Sequence, residues 1–177
     1  GSLGAENMNE VMCRFIELAG KKPGFTLVHS AGIEGYEKMV EHLRRTVPDY
    51  EKNGMDVREY IYDMPRVMAA ADLVICRAGA ITLSELCCCG KPSVLIPSPY
   101  VAENHQYHNA MTLKKAGAAQ LLEEKDLSGE SLINAVEGLI CNKPLLEKMG
   151  EAALKHAIPD ANKRIYEVLM DLYTLQK

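Results

Sequence analysis

The 177-residue sequence has no excess of basic residues, no long apolar run and no paired spacing of zinc ligands. Its 20 Lys and Arg against 24 Asp and Glu give a net charge of -4, so we expect no nucleic-acid partner. No run approaches the roughly 18 apolar residues of a membrane span, and the first residues do not read as a signal peptide. We therefore expect a soluble, cytoplasmic chain with no direct membrane span.

The six cysteines do not follow the CxxC or HxxxH spacing of metal ligands, so we expect neither a metal nor another cofactor. Three of them are consecutive, Cys87 to Cys89. Neighbouring side chains on a helix point in different directions, which makes a disulfide framework a poor interpretation. We interpret the cysteines as reduced, buried side chains, with redox sensing by an exposed member of the trio as the alternative.

Short apolar runs alternate with amphipathic helical segments along the whole chain, without repeats, linkers or low-complexity stretches. Continuous apolar runs at 73–76 and 93–96 are typical of strands buried on both faces of a parallel sheet. The repeated strand–helix units predict an α/β fold, a Rossmann-like parallel sheet with helices on both faces. Further strands are predicted at 25–29, 57–61 and 118–122. We expect one domain over residues 1–177.

The chain opens on a glycine-rich turn, Gly1-Ser2-Leu3-Gly4-Ala5, that leads directly into a helical pattern. Such a turn normally follows a strand, so we expect the chain to be cut at a strand–loop junction. An expression remnant is the alternative interpretation of the first two residues.

A second turn, Arg77-Ala78-Gly79-Ala80, has small residues at 78–80; it follows the apolar run 73–76 and opens the next helix. Ligands of parallel α/β sheets bind beyond the carboxyl ends of the strands. Small residues let a ligand approach the backbone, and a helix start offers unpaired N–H groups and a positive dipole end. The pattern is compatible with a phosphate site, although a tight packing turn looks similar.

Glu85 has two interpretations. The spacing Thr82-Leu83-Ser84-Glu85 matches a capping box, in which Thr82 caps the helix and Glu85 bonds back to the cap residue. The alternative is a carboxylate that accepts hydrogen bonds from the hydroxyl groups of a ribose. Spacing alone favours the cap.

The segment after the run 93–96 is more polar than a connecting loop requires. Amide and imidazole side chains can both donate and accept, as the hydroxyl groups of a sugar demand. A solvated helix start is the alternative. The polar residues are Glu103, Asn104, His105, Gln106, His108 and Asn109.

Several of these segments together resemble the carboxy-terminal, donor-binding half of the MurG family of peptidoglycan glycosyltransferases. The matching motifs are GSLGAENMN at 1–9, YIYDMPRVMAAADLVICRAGAITLSEL at 60–86, GKPSVLIPSPYVAENHQYHNA at 90–110, KKAGAA at 114–119 and IPDANKRI at 158–165. The resemblance covers essentially the whole chain. It implies one half of a GT-B glycosyltransferase, in which two Rossmann-like domains face a cleft.

The resemblance also implies an activity and a set of binding residues. The activity is transfer of N-acetylglucosamine, with inversion, from UDP-N-acetylglucosamine to lipid I, which forms lipid II. By this resemblance, the backbone of Ile61 binds uracil, with Met64 nearby, and Glu85 binds the ribose. Ser2 and Thr82 bind the diphosphate. The amide of Ala80 or Ile81 lies near the sugar, and Gln106 and Asn109 bind the hydroxyls of N-acetylglucosamine. His105 stands where the family commonly has a second glutamine.

The amino-terminal half of the family, with its acceptor surface and its expected general base, is absent from this sequence. We therefore nominate no catalytic residue, expect lipid I to bind through the absent domain, and expect the chain to be inactive alone. By the same resemblance, the full-length protein is expected to be peripheral on the inner face of the cell membrane. Two alternatives stay open: the donor-binding subunit of a naturally split transferase, and a noncatalytic UDP-binding domain of the same fold.

Overall fold

The computed structural model describes residues 5–20 and 24–175. Over these residues helices alternate with strands. In chain order the elements are α1 (Glu6–Ala19), β1 (Leu27–Ser30), α2 (Tyr36–Thr46), β2 (Met55–Arg58), α3 (Met64–Ala70), β3 (Val74–Cys76), α4 (Ala80–Cys88), β4 (Ser93–Leu95), α5 (His105–Lys115), β5 (Ala119–Leu121), α6 (Gly129–Ile140), α7 (Lys143–Leu154) and α8 (Ala161–Leu175). The alternation that the sequence predicts is confirmed.

Every strand pair is parallel, as predicted, but the strands form two hydrogen-bonded groups. β1 pairs with β2, with Val28 opposite Asp56. β4 lies between β3 and β5, with Val94 opposite both Ile75 and Gln120. Both faces of β3 are covered as predicted, with Ile75 packed against one core and Val74 and Cys76 against the other. Its side chains are only half-buried, and it has a strand neighbour on one side only. β4, with neighbours on both sides, is fully buried.

Alternation along β4 places side chains in two separate cores. Val94 and Ile96 belong to the larger core, to which α1, α2 and α6 contribute. Leu95 points into the smaller core, to which α4 and α5 contribute. The two cores therefore lie on opposite faces of the strand, which confirms the expectation of helices on both faces.

Helix α1 shows how local sequence forms these layers. Its buried side chains recur at helical spacing, with Phe15 and Ile16 fully buried. The helix ends where the Gly20 N–H donates to the Ile16 carbonyl at 2.8 Å. α1 packs against α2 and α6, so its buried side chains belong to the larger core.

The carboxy-terminal helix α8 differs from the others, since its described side chains belong to neither core. Large apolar side chains on it are exposed, Tyr166 by 63% and Leu169 by 59%. Within residues 5–20 and 24–175, none of the helices combines the length and the apolar character needed to cross a membrane.

Candidate functional site

The turn between β3 and α4 presents an open helix start. Gly79 is the residue before the first helical position, and no side chain caps the helix there. The first helical hydrogen bond runs from the Leu83 N–H to the Gly79 carbonyl, so the N–H groups of residues 80–82 precede it. A Cβ built on Gly79 would meet nothing within 4 Å, and Ile81 is 79% exposed. This helix start can bind an anion through backbone donors alone.

The capping box expected at Thr82 and Glu85 is wrong. Because α4 begins at Ala80, Thr82 occupies the third helical position and cannot be the cap, which is Gly79. Glu85 therefore lies in the second turn, beyond reach of the cap residue. Its side chain is exposed and has no partner among the residues that the structure describes. The carboxylate is thus free to accept hydrogen bonds from a ligand.

Arg77 lies at the carboxyl end of β3 and crosses to the ends of the neighbouring strands. Its Nη1 donates to the Ile96 carbonyl at 3.3 Å and to the Pro97 carbonyl at 3.4 Å. The same nitrogen forms an ion pair with Glu124, whose side chain is 11% exposed. Arg77 thus connects the β3–α4 turn to the ends of both β4 and β5.

Glu124 carries this connection on to α1. Its other oxygen accepts a hydrogen bond from Asn7 Nδ2 at 2.6 Å. The hydrogen bond from Arg77 holds the pKa of the Glu124 carboxyl below its ordinary value against the opposing effect of burial, and the Asn7 bond acts with Arg77. The group is therefore charged at neutral pH, opposite a charged guanidinium.

The polar loop between β4 and α5 is held by the amides that the sequence nominates. Gln106 Oε1 accepts from the Ser98 N–H at 3.0 Å, and Asn109 Nδ2 donates to the Ala78 carbonyl at 3.2 Å. Each amide keeps one polar atom, Nε2 of Gln106 and Oδ1 of Asn109, for another partner. The exposed His105 donates through Nδ1 to the Ala102 carbonyl at 2.9 Å.

The same loop contains two consecutive residues in the left-handed region. Glu103 has φ 52° and Asn104 has φ 51°, immediately before α5 begins at His105. Non-glycine residues rarely adopt this conformation, which costs of the order of 1 kcal/mol or more each. The bend is what turns the chain from the end of β4 into α5.

Ile61 and Met64 lie together after β2, in the other group of strands. The predicted strand 57–61 ends at Arg58, so Ile61 lies in the loop and not in a ladder. Its side chain is buried, with 6% exposure, while neither its N–H nor its carbonyl has a partner among the described residues. Met64, the first residue of α3, is 39% exposed. Ile61 thus offers one backbone donor and one backbone acceptor that the described residues leave unbonded.

Ser2, the remaining nominated residue, lies outside the described residues. Of the others, Ala80, Ile81 and Thr82 begin α4, and Gln106 and Asn109 lie in the first turns of α5. The contacts join the turn before α4 to α5 and to the end of β4. A third segment, Glu124–Asp126, joins them through Arg77.

Sequence reasoning missed Arg77, Glu124 and Asn7 as residues of this site. Arg77 carried a usable signal, since a cation directly after an apolar strand lies at the ligand edge of a parallel sheet. Glu124 and Asn7 carried no such sequence signal, because Glu124 lies 47 positions from Arg77 and 117 positions from Asn7. Over the described ranges 5–20 and 24–175, no cluster of three or more His, Cys, Asp or Glu side chains could hold a metal.

The comparisons with known proteins agree on one family. The model of the glycosyltransferase family 28 C-terminal domain matches residues 1–165. UDP-N-acetylglucosamine--N-acetylmuramyl-(pentapeptide) pyrophosphoryl-undecaprenol N-acetylglucosamine transferase of Acetivibrio thermocellus is 40% identical over 172 residues. The enzyme of the same name from Desulfitobacterium hafniense is 42% identical over 172 residues. Each alignment covers 97% of this chain and 46% of the relative, so the chain spans about half the length of these relatives.

Solved structures support the same relationship. Acinetobacter baumannii MurG matches with a TM-score of 0.82 at 28% identity, over 97% of this chain and 48% of that one. The UDP complex of S. aureus MnaA matches with a TM-score of 0.72 at 14% identity, over 97% and 43% of the two chains, which shows the fold alone. The predicted fold class, one half of a GT-B glycosyltransferase, is confirmed. The chain belongs to the glycosyltransferase family 28 C-terminal domain family.

Proposed function

We propose that this chain is the UDP-N-acetylglucosamine-binding half of an inverting glycosyltransferase that converts lipid I to lipid II. The observation that carries the proposal is the uncapped start of α4, with the unpaired carboxylate of Glu85 on the same helix. The names of the half-length relatives support the reaction. The same names include UDP-N-acetylglucosamine, which supports the nucleotide.

The diphosphate binds at the start of α4. The N–H groups of Ala80, Ile81 and Thr82, with the Thr82 hydroxyl, face the phosphate oxygens, and Ser2 supplies a further hydroxyl. As the sugar leaves, negative charge grows on the diphosphate, where the helix dipole and these fixed donors stabilise it. Backbone donors of this kind do the work that a divalent cation does at other phosphate sites, so no metal is required.

The nucleoside is recognised by Ile61 and Glu85. Uracil presents an N3–H donor next to a carbonyl acceptor, and a single extended residue supplies the complementary pair. The unpartnered N–H and carbonyl of Ile61 fit this requirement, with Met64 lying against the base. The Glu85 carboxylate accepts hydrogen bonds from the ribose hydroxyls, a charge-assisted contact of about 1.5–3 kcal/mol.

The sugar lies against the loop between β4 and α5. Gln106 Nε2 and Asn109 Oδ1 are the polar atoms that the loop contacts leave over, and they bind the hydroxyls of N-acetylglucosamine. His105, exposed at the start of α5, supplies a further polar group toward the sugar. Gln106 therefore holds the β4–α5 loop and Asn109 holds the β3–α4 turn with one atom, and each binds the sugar with the other.

The acceptor step belongs to the half that the relatives have beyond this chain. Lipid I binds there, and a general base there takes the proton of the attacking hydroxyl. The full-length enzyme is peripheral on the cytoplasmic face of the membrane, where lipid I is presented. The chain by itself binds the donor and transfers nothing.

Calorimetric titration of the chain tests this function. UDP-N-acetylglucosamine should bind more tightly than UDP-N-acetylgalactosamine and UDP-glucose, and a chelator should leave its affinity unchanged. Equal affinity for all three would remove the sugar-reading role of Gln106 and Asn109. Strict dependence on magnesium would contradict the role of the helix start, and turnover of a lipid I analogue would place a base within this chain.

A further inference from the structure

Arg77 occupies the point where the carboxyl ends of β3, β4 and β5 meet. It follows β3 directly, reaches two carbonyls at the end of β4, and pairs with Glu124 after β5. One side chain thus contacts the exits of three adjacent strands. In a parallel sheet these exits carry the ligand-binding loops, so the position of Arg77 sets how the loops lie relative to one another.

The contacts of Arg77 also leave its Nη1 little capacity for a ligand. This nitrogen faces three oxygens of the protein, two carbonyls and the Glu124 carboxylate. The carboxylate neutralises the guanidinium, and burial of the pair to 23% and 11% exposure strengthens their attraction. A phosphate that bound Arg77 directly would have to compete with Glu124 for it.

Two further hydrogen bonds continue from the residues next to these contacts. Ala78, beside Arg77, accepts from Asn109, and Ser98, beside Pro97, donates to Gln106. Arg77 and the two amides therefore brace the same two segments, the β3–α4 turn and the β4–α5 loop, and Glu124 holds Arg77 in place.

We propose that Arg77 and Glu124 form a positioning pair that holds the start of α4 in register with the sugar-facing loop, and that Arg77 is not itself a phosphate ligand. This inference rests on the proposed function, since the two segments are those assigned to the diphosphate and to the sugar. Asn7 extends the pair to the first turn of α1, which follows the opening glycine-rich turn.

Glu124→Gln separates a positioning pair from a phosphate-binding arginine. If the pair positions the site, loss of the charge loosens both segments, and affinity for UDP-N-acetylglucosamine falls about tenfold, as for a coupled charge pair. Arg77→Lys should lower it as well, because the lysine side chain is one bond shorter and its ammonium does not reach the position of Nη1 between the two carbonyls and the carboxylate. If Arg77 binds phosphate, Glu124→Gln frees it, and affinity stays equal or rises; that result would overturn the proposal.

Glu130→Gln is the matched control. Glu130 pairs with Arg14 at 2.8 Å and joins α6 to α1, away from the strand ends. Glu130→Gln removes the same charge from an ion pair between two helices, and the affinity for UDP-N-acetylglucosamine should not change. A fall equal to that of Glu124→Gln would show that general loosening, and not positioning, lowers affinity.

Hydrogen exchange of the ligand-free protein tests the positioning without the donor. The Ser98 amide should exchange faster in Glu124→Gln and in Arg77→Lys than in the parent and in Glu130→Gln. Glu124→Gln removes the carboxylate that fixes Arg77, and Arg77→Lys shortens the side chain, so each loosens the hold on the carbonyls of residues 96 and 97. Unchanged exchange in both variants would overturn the positioning role. If the parent binds no UDP-N-acetylglucosamine, the proposed function fails, while the exchange of Ser98 still decides whether the pair holds the loop.

Discussion

The carboxyl end of β1 and the carboxyl ends of β3 to β5 are held together by different kinds of interaction. At β1 the contacts are buried and uncharged: Asn9, 8% exposed, donates through Nδ2 to the Ala31 carbonyl at 2.8 Å. Its Oδ1 contacts His29 Nε2 at 3.1 Å. At the ends of β3 to β5 the central contact is the ion pair of Arg77 and Glu124. The β3–α4 turn and the β4–α5 loop are the segments that Arg77 joins there.

The uncharged region has a defined protonation state. A carbonyl only accepts, so Asn9 must donate with its nitrogen and accept with its oxygen, and His29 Nε2 must carry a proton. Burial lowers the pKa of His29 to about 4, which keeps the ring neutral near pH 7. The free energy of unfolding should therefore depend on pH through His29, and on the size of the side chains packed around Asn9.

In the charged region, around Arg77 and Glu124, we expect substitutions to change ligand binding more than stability. Its segments carry the free helix start, the left-handed residues 103 and 104, and the amides with one atom left over. The comparison shows a division within one fold: Asn9 at the β1 end pairs with other groups of the protein, whereas the ends of β3 to β5 keep polar atoms available. Variants at the first should change stability, and variants at the second should change binding.

The largest effect is expected at Gly35, in the uncharged region. A Cβ there would lie 2.1 Å from Asn9 Nδ2 and 2.8 Å from the Ala31 carbonyl oxygen, so Gly35→Ala should break the Asn9 contact. We expect a loss of about 4 kcal/mol in the free energy of unfolding, measured with urea. Gly138→Ala on α6 is the control, since its Cβ meets nothing within 4 Å and should stabilise the helix. Equal stability of the two variants would contradict the close packing at Asn9.

The next effect is the pH dependence of His29. The pKa of this ring is about 4 in the folded chain against about 6.5 unfolded, so the unfolded state binds the extra proton between these values. Stability is fully present above about pH 6.5 and falls by about 3 kcal/mol as pH drops through about 4. His29→Gln should lose this part of the pH dependence in unfolding curves between pH 7 and 4. The exposed His156 is the control, and His156→Gln should behave like the parent.

A smaller effect, on binding alone, is expected at Glu85 in the charged region. Glu85→Gln removes the charge that accepts from the ribose hydroxyls, and UDP affinity should fall about tenfold, or ~1.4 kcal/mol. Because Glu85 does not cap α4, both Glu85→Gln and Glu85→Ala should unfold at the temperature of the parent. Unchanged UDP titration of both variants would remove the ribose assignment.

The smallest effect is expected at Lys91, which connects α3 to the start of β4. Its Nζ donates to the Ala69 and Ala71 carbonyls at 2.7 and 2.8 Å, at the end of α3. Lys91→Met should cost about 1 kcal/mol of unfolding free energy through these lost bonds. UDP affinity should stay that of the parent, because the contact lies away from the strand exits. A tenfold loss of UDP affinity would show that α3 also sets the base-binding loop.

The sequence by itself determined the fold class and most element positions. Met8, Val11, Met12, Phe15 and Ile16 recur at helical spacing and form the buried face of α1, which ends at Gly20. Apolar runs placed β3 and β4 to within one residue. These features are local, because the periods of helices and strands are written in neighbouring residues. The nominated polar segment 97–109 also follows from its position after an apolar strand.

Only the tertiary structure decided where α4 begins and what holds the site together. The local pattern at Thr82 and Glu85 predicts a cap, but the end of β3 and the Gly79 turn fix the helix start two residues earlier than Thr82. The pairing of Arg77 with Glu124 joins residues 47 positions apart and has no local signature. Side chains so distant in sequence meet because parallel strands exit at one edge of a sheet, and which of them pair there is decided by packing.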